Sequence, residues 1–398
     1  MRISKLLGGI FIIAAVALIV TVIYYNSAKR QQAIVFSPRS MLDGIWDSYK
    51  KEYIAEGRTV DKQRNNITTS EGQSYSMLRA VWVGDRETFD QVWGWTNANL
   101  KRIDSNLFSW MYGQRPNGSY GVLSEAGGDN SASDADTDIA MALLFANVRW
   151  GERDYLDSAQ AIINDIWEME VVVIANKPYL AANNLEKERS PEAVIINPSY
   201  LSPSAYRLFA QIDSGHDWTK LIDTSYEVIQ KSIESPLDKE RSINLPPDWI
   251  LMDRSTAQIK APNFSNLTSN YSFDAIRLPW RLALDWYWFK EPRALDNLYR
   301  LEFLQTQWDE KKLIHAGYAH NGQVISDFES PAVYGGSIGY FLVADSETAK
   351  NIYENKLAAL YNPDTDSWKN PMSYYDDNWT WFGLALYNNL LPNLVETI

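Results

Sequence analysis

Apolar residues recur at three- and four-residue steps through most of the chain from about residue 37 onward. This spacing gathers them on one side of an α-helix, and only short runs such as 171–175 (VVVIA) suit a strand. Clusters of Gly, Pro, Asn, Asp and Ser separate the helical stretches, for example at 114–128 and 362–371. The pattern predicts helices at 74–83, 88–100, 136–150, 155–169, 202–212, 278–289, 294–308, 335–344 and 378–391.

The segment 31–398 carries no low-complexity linker that would divide it. Nine or more helices in one uninterrupted domain predict an all-α fold with helices packed in layers, as a bundle, a solenoid or a closed ring of hairpins. No fixed-period repeat is visible, which disfavours the solenoid.

The N-terminal segment 1–30 has a different composition. Leu6 to Tyr25 carries no charge, and twenty helical residues span roughly 30 Å, about one hydrocarbon core. This apolar run is longer than the core of a usual signal peptide and lacks a clear cleavage site. We therefore predict an uncleaved transmembrane anchor with the large domain outside the cytoplasm. The alternative is a cleaved signal and a secreted protein.

Composition removes several classes of function. The 398 residues include no Cys and only three His, so disulfides and thiol nucleophiles are excluded and His-based triads or metal sites are disfavoured. A net charge of −13 argues against nucleic acid as a partner. Sixteen Trp and 23 Tyr suit a groove for a neutral, ring-shaped ligand. We expect neither a metal nor a cofactor.

Two short motifs match known signatures by chance. Gly335–Gly339 fits the GxSxG nucleophile elbow, but no His follows His320 to complete a triad. Asp134–Asp138 imitates the start of a calcium loop, yet its sixth position is Ile139 and its twelfth is Phe145. Neither motif predicts a site.

The acids of the SASDADTDIA stretch have two explanations. Ser131 or Ser133 could cap a helix, and the helix dipole stabilises acids in a first turn. Three Asp within five residues nevertheless repel one another, which points to a role beyond capping. At about 100° per residue, Asp134 and Asp138 share one side of the helix, whereas Asp136 points elsewhere.

Two further acids fit acid–base chemistry. Glu71 stands at the entrance of the helix 74–83, where the helix N-terminus lowers the pKa of a carboxyl group and burial among aromatic residues raises it. Spacing alone does not decide between these effects. Asp274 lies three residues before Arg277, whose charge would keep Asp274 ionised, as a general base requires.

Four motifs together resemble the signatures of glycoside hydrolase family 8. They are TSEGQSYSM, SASDADTDIAMALLFA, NPSY and YSFDAIRLPWR, in that order, and the similarity runs from about residue 38 to the C-terminus. That family contains cellulase-type endo-β-1,4-glucanases, mixed-linkage glucanases, xylan-acting enzymes and chitosanases. The resemblance implies an (α/α)6 barrel of six helical hairpins with a cleft at one end, and inversion at the anomeric carbon.

The same resemblance implies roles for two carboxyl groups. Glu71 matches the general acid that protonates the departing glycosidic oxygen, and Asp274 matches the general base that takes a proton from water. In an inverting enzyme the two carboxyl groups lie roughly 6.5–9.5 Å apart to admit that water. Asp274 also argues against the branch of the family whose base lies elsewhere, and so weakens a chitosanase interpretation.

Other matched residues would bind the substrate. Either Asp134 or Asp136, with Asp136 preferred, would bind the sugar at the cleavage subsite. Tyr200 would hold the water, and Arg277 would orient Asp274. The aromatic candidates for sugar platforms are Trp110, Tyr374 and Tyr375.

The resulting expectation is an inverting hydrolase of β-1,4-linked glucan, cellulose-like or mixed-linkage, tethered to a cell envelope. One alternative is a hydrolase of the same family that acts on xylan or an exopolysaccharide. Another is a glycan-binding or assembly factor that uses the cleft without turnover.

Overall fold

The computed structural model describes Thr21 and residues 37–395. The anchor predicted for Leu6 to Tyr25 lies outside the described residues except for Thr21, as does the domain boundary predicted at residue 30, and both stay predictions. Among the residues that the structure does describe, no helix combines the length and the apolar character needed to cross a membrane.

The described chain is mostly helical. Its helices, in chain order, are α1 (Pro38–Tyr53), α2 (Ser70–Val83), α3 (Arg86–Asn99), α4 (Ser133–Trp150), α5 (Arg153–Glu170), α6 (Pro203–Ile212), α7 (Trp218–Glu234), α8 (Arg277–Phe289), α9 (Pro292–Tyr299), α10 (Glu302–Lys311), α11 (Pro331–Ala344), α12 (Ser346–Ile352) and α13 (Tyr374–Tyr387).

Within residues 37–395 the helices form an inner and an outer set. Helices α2, α4, α6, α8, α11 and α13 are buried on nearly every side, and each packs against the next in this order. The Arg79–Asp377 ion pair, 3.0 Å long, joins α13 back to α2. Helices such as α1, α3, α5 and α7 bury one side only and pack outside an inner partner. This arrangement is consistent with the predicted (α/α)6 barrel.

The predicted helices are confirmed with one difference. The stretch 294–308 is divided between α9 and α10, because the chain leaves helical geometry at Leu301 (φ −79°, ψ 27°) and buries that side chain completely. Helices α1, α7 and α12 lie outside the nine predicted segments, although α1 and α7 have apolar residues at helical spacing on their inward sides.

Short antiparallel strands occupy the loops between helices. The first four residues of the run VVVIA form β6, as the continuous apolar pattern predicts, and the remaining strands have two to four residues. The strands are β1 (Ile54–Ala55), β2 (Arg58–Thr59), β3 (Thr68–Thr69), β4 (Met111–Gln114), β5 (Tyr120–Val122), β6 (Val171–Ile174), β7 (Lys177–Leu180), β8 (Ala193–Ile196), β9 (Ile250–Asp253), β10 (Ile259–Lys260), β11 (Gly317–Tyr318), β12 (Val324–Ser326), β13 (Tyr361–Asn362) and β14 (Ser367–Trp368).

Two three-stranded sheets bear on the site. In the first, β4 pairs with both β3 and β5, and β3 runs directly into α2. In the second, β9 pairs with both β8 and β10, and the residues that precede β9 approach the loop before α8. Both sheets therefore connect to loops at the same end of the inner helices.

Candidate active site

Glu71 lies in the first turn of α2, immediately after β3. The helix is capped by Thr69, whose side-chain oxygen accepts a hydrogen bond of 3.0 Å from the backbone N–H of Gly72. Because Thr69 does the capping, the carboxyl group of Glu71 is available for other contacts. Its side chain is 25% exposed, at the end of the inner helices where the cleft is expected.

Arg277, the first residue of α8, stands at the centre of the site with only 1% of its side chain exposed. Its Nη1 donates to Oε2 of Glu71 at 2.7 Å and to Oδ2 of Asp134 at 2.9 Å. Its Nη2 donates to Oδ1 of Asp274 at 2.5 Å, so the predicted pairing of Asp274 with Arg277 is confirmed. One guanidinium thus joins three carboxyl groups that are distant in sequence.

The surroundings of Glu71 favour its protonated form. Burial raises the pKa of Glu71 to about 7, Arg277 opposes this change, and the charges of Asp134 and Asp274 add to it. The hydroxyl of Tyr374 donates to Oε1 of Glu71 at 3.1 Å. Burial therefore outweighs the charge of Arg277, and the pKa of Glu71 lies in the range that a general acid at neutral pH requires.

Gly72 makes room for the contact between Tyr374 and Glu71. A Cβ atom at position 72 would lie 3.1 Å from the Tyr374 hydroxyl oxygen, closer than an ordinary van der Waals contact. The ring of Tyr374 is 4% exposed and packs edge-on against Tyr53. Tyr374 consequently offers no open face to a sugar, and its predicted role as a platform is wrong. Its hydroxyl serves Glu71 instead.

The helix α4 sends Asp134 into this cluster and Asp136 away from it. Asp134 and Asp138 share one side of α4, as predicted, and there Asp138 forms a two-point ion pair with Arg281, with both hydrogen bonds at 2.9 Å. Asp136 is fully buried on another side of the helix, where its Oδ1 accepts from the backbone N–H of Phe108 at 3.0 Å. This geometry reverses the preference for Asp136 as the sugar-binding acid.

Asp136 has a second carboxyl group, that of Glu170, as its neighbour in the interior. Oδ2 of Asp136 and Oε2 of Glu170 are buried without a donor among the described residues, so a proton carried by one of the two carboxyl groups is needed to satisfy both. Burial raises the pKa of Asp136 to about 8, and that of Glu170 well above its usual range. Ser131 donates to Glu170, and Ser133 donates to the Ala181 carbonyl. Neither serine therefore caps α4, and the capping suggested for them is wrong.

Replacing Asp136 by Asn is expected to stabilise the protein at high pH. Since the folded-state pKa of Asp136 lies above the unfolded-state value, folding loses stability as pH rises from about 4 to about 8. Asn keeps the acceptor for Phe108, donates to Glu170 and does not titrate. We expect a gain of about 1–2 kcal/mol in the free energy of unfolding at about pH 8, and little change at about pH 4, by denaturant titration.

Asp138→Asn provides the matched control on the same helix. This variant breaks the buried ion pair with Arg281, so it should lose about 3–5 kcal/mol at either pH. An Asp136→Asn protein less stable than wild type at about pH 8 would contradict the assignment of a shared proton.

A groove of ≈ 870 Å³ leads away from the carboxyl cluster. Trp110, Tyr200 and Trp249 line it, so two of the predicted substrate-binding residues lie on its wall. The indole N–H of Trp110 donates to the Gly127 carbonyl at 2.7 Å, which fixes the ring in place. The guanidinium of Arg277 lies 5.0 Å from the centre of the Tyr200 ring, which ties the groove to the cluster.

Tyr375 lies beside the loop that carries Asp274. Its hydroxyl donates to the Phe273 carbonyl, and the two rings pack edge to face with centroids 5.8 Å apart. Phe273 is 39% exposed, which makes it an aromatic surface absent from the predicted set. Its position next to Asp274 in the sequence is the signal by which it could have been found.

A pair of neighbours on one loop, Asp248 and Trp249, is also absent from the predicted set. The indole N–H of Trp249 donates to Oδ2 of Asp274 at 3.1 Å, and Asp248 binds the backbone on either side of Asp274. No local pattern around 245–250 distinguishes these residues, because their function depends on a loop some 25 positions further along the chain.

An acid of raised pKa and a second carboxylate in one cluster, joined through Trp249 to a groove lined by aromatic residues, suit the hydrolysis of glycosidic bonds, which uses a pair of carboxyl groups. The family profile described as "Glycosyl hydrolases family 8" matches residues 14–386. The chain belongs to this family, which confirms the resemblance and extends the match N-terminal to residue 38.

Several relatives share this similarity. Endoglucanase A of Acetivibrio thermocellus is 28% identical over 334 residues, which cover 80% of this chain and 64% of the relative. An endoglucanase of Escherichia coli K12 is 32% identical over 238 residues, 58% of this chain and 60% of the relative. This chain therefore spans less than two thirds of both relatives. The crystal structure of an endo-1,4-D-glucanase from Vibrio fischeri superposes with a TM-score of 0.73 at 25% identity, covering 86% of this chain and 94% of the other.

Proposed function

We propose that the protein is an inverting endo-β-1,4-glucanase that cleaves cellulose-like or mixed-linkage glucan, with Glu71 as general acid and Asp274 as general base. The observation that carries the proposal is the shared contact with Arg277, which holds both carboxyl groups in one cluster. The groove residue Trp249 donates to Asp274 and so joins this cluster to the groove. Family membership and the endoglucanase names of the relatives support the same reaction.

The chemistry divides between the two carboxyl groups. Glu71 gives its proton to the glycosidic oxygen as the bond from that oxygen to the anomeric carbon breaks. Asp274 takes a proton from a water that attacks the opposite face of the sugar, so the configuration inverts. Each turnover leaves Glu71 ionised and Asp274 protonated, and exchange with solvent restores both.

Neighbouring groups would support this division of labour. Asp134, beneath Glu71 and paired with Arg277, is the acid that we assign to the sugar at the cleavage subsite. Tyr200 lies on the groove wall beside Arg277 and Trp249, where it can hold the attacking water. Trp110 and the Phe273–Tyr375 pair supply aromatic surface for neighbouring sugars.

The activity should fall with rising pH as Glu71 loses its proton. Because burial raises the pKa of Glu71 to about 7, kcat/KM is expected to decline through about pH 7. The value of kcat/KM falls as pH rises because a general acid is active only when it is protonated. Initial rates on a soluble β-glucan from about pH 4 to about pH 9 would measure this limb. A rate that stays constant across this range would contradict the assignment.

Proton NMR of the first products tests the reaction and the substrate together. Carboxymethyl-cellulose, mixed-linkage glucan and xylan would each be incubated with the protein, and the anomeric signal followed from the first turnovers. We expect an initial α-anomer from the two glucans. An initial β-anomer would overturn inversion, and cleavage of xylan alone would overturn the glucan assignment. Binding without any product would favour a glycan-binding factor.

A further inference from the structure

The loop 245–249, which precedes β9, binds the turn that carries Asp274. Asp248 is 4% exposed, and its Oδ1 accepts hydrogen bonds from the backbone N–H groups of Ser272 at 3.1 Å and Ala275 at 2.8 Å. Its Oδ2 accepts from the Ser272 hydroxyl. One carboxyl group thus binds the backbone on both sides of Asp274 and holds the turn closed.

The adjoining residue, Trp249, acts on the side chain of Asp274. Its indole N–H donates to Oδ2 of Asp274 at 3.1 Å, while Arg277 donates to Oδ1. A donor on each oxygen fixes the rotation of the carboxylate plane. The indole ring is itself held edge-on against Tyr200, with ring centroids 5.6 Å apart.

The burial of Asp248 is costly in free energy, which calls for an explanation. Burial raises the pKa of Asp248 to about 7, the charge of Asp274 raises it further, and the groups that lower it most are hydrogen-bond donors of Ser272 and Ala275. A buried carboxylate is tolerated when hydrogen bonds compensate it. All of these donors belong to the turn that carries Asp274, so the turn is what Asp248 stabilises.

We propose that Asp248 and Trp249 are positioning residues for the general base, Asp248 by fixing the backbone of the turn Ser272–Ala275 and Trp249 by fixing the orientation of the Asp274 carboxylate. This inference rests on the proposed function, since it takes Asp274 as the base. A base that activates water must hold its geometry closely, and a displacement of about 1 Å can cost about 10²-fold in rate.

Two substitutions at Asp248 separate position from charge. Asp248→Ala removes all three hydrogen bonds, and we expect kcat to fall about 10²-fold with little change in KM. Asp248→Asn keeps Oδ1 as acceptor for both N–H groups, and its amide can donate to the Ser272 oxygen. This conservative variant should recover kcat to within about fivefold of wild type. Because burial raises the pKa of Asp248 to about 7, this group is already uncharged on the acidic limb of kcat/KM, and Asp248→Asn should leave that limb at the wild-type pH.

Trp249→Phe tests the second contact without disturbing the turn. Phe keeps a ring beside Tyr200 but has no N–H for Asp274, so the carboxylate loses a donor that favours its charged form. We expect kcat to fall about tenfold and the acidic limb of kcat/KM to move to higher pH. A shift of the acidic limb in Trp249→Phe with none in Asp248→Asn is a signature that general destabilisation would not produce.

Asp253→Ala is the matched control. Asp253 at the end of β9 accepts from the backbone N–H groups of Ser255 and Thr256, both at 3.0 Å, in a turn outside the groove lining. Removing this equivalent set of bonds should leave kcat at the wild-type value. If Asp248→Ala and Trp249→Phe both fold and both retain kcat within about twofold of wild type, the positioning role is overturned.

Hydrogen exchange separates a failure of this inference from a failure of the proposed function. Asp248→Ala should abolish protection of the Ser272 and Ala275 amides, and Asp248→Asn should retain it. Unchanged protection in Asp248→Ala overturns the inference even if the enzyme is a glucanase. Conversely, full activity of Asp274→Asn overturns Asp274 as the base. The exchange result then still tests whether Asp248 holds the turn that carries residue 274. If Asp248→Ala does not fold, Ser272→Ala and Trp249→Phe take its place in the kinetic comparison.

Discussion

Glu71→Gln is expected to lower kcat on β-1,4-glucan by about 10³-fold without unfolding the protein. The amide has the shape of the carboxyl group, its oxygen can accept from Arg277 and its NH2 can donate to the Tyr374 oxygen, but it has no proton of suitable acidity for the leaving oxygen. Steady-state kinetics and thermal unfolding on the same preparation would measure both quantities. The basic limb expected near pH 7 should disappear from the residual activity.

A substrate with a better leaving group makes this test specific for the acid. An aryl β-cellotrioside that releases dinitrophenolate needs no protonation of its leaving oxygen, so Glu71→Gln should lose far less activity on it than on the polymer. Glu87→Gln is the control, because Glu87 also lies in the first turn of a helix, α3, but on the outer surface. Equal losses on both substrates would remove the role of proton donor from Glu71.

Asp274→Asn is expected to lower kcat by about 10³-fold or more on polymer and aryl substrate alike. The amide cannot take a proton from the attacking water, and a better leaving group does not replace that step. Arg277 and Trp249 remain as neighbours, so the turn should keep its structure. Kinetics on both substrates, together with near-ultraviolet circular dichroism, would measure the loss and check the fold.

An added nucleophile distinguishes a missing base from a damaged site. Azide needs no deprotonation, so it should restore turnover of the aryl substrate by Asp274→Asn and give the α-glycosyl azide. The control is Asp223→Asn. Asp223 lies on the outer helix α7 and forms an ion pair with Arg293, and its replacement should keep the wild-type rate. A β-configured azide product, or retained activity without azide, would contradict Asp274 as the base of an inverting enzyme.

The helices could be predicted from the sequence because their signal is local. In α4, apolar residues recur through successive turns, and a window of about fifteen residues contains the whole pattern. The break at Leu301 could not be predicted from the sequence, because the apolar spacing continues through it. The break accompanies the complete burial of the Leu301 side chain, which is a tertiary contact. Two-residue strands such as β3 likewise could not be predicted from the sequence, although β3 directly precedes the helix that carries Glu71.

The candidate site shows where local information ends. Motif resemblance identified Glu71, Asp274 and Arg277, and the structure brings these three together. The choice between Asp134 and Asp136 depends on the rotation of α4 relative to α8, and the structure reversed the expected preference. Tyr374 was predicted to stack on a sugar because it is aromatic, whereas in the structure its hydroxyl binds Glu71.

Helical periodicity predicted a helical domain, and four short motifs indicated family 8 and the carboxyl groups that we propose for its chemistry. Helical periodicity and short motifs are properties of consecutive residues, so no partner need be known to recognise them. The folded structure showed that burial outweighs the charge of Arg277 at Glu71 and that Asp248 holds the turn of Asp274. A pKa and a hydrogen bond depend on groups that come close through folding, and their separation in sequence hides them until the chain is folded.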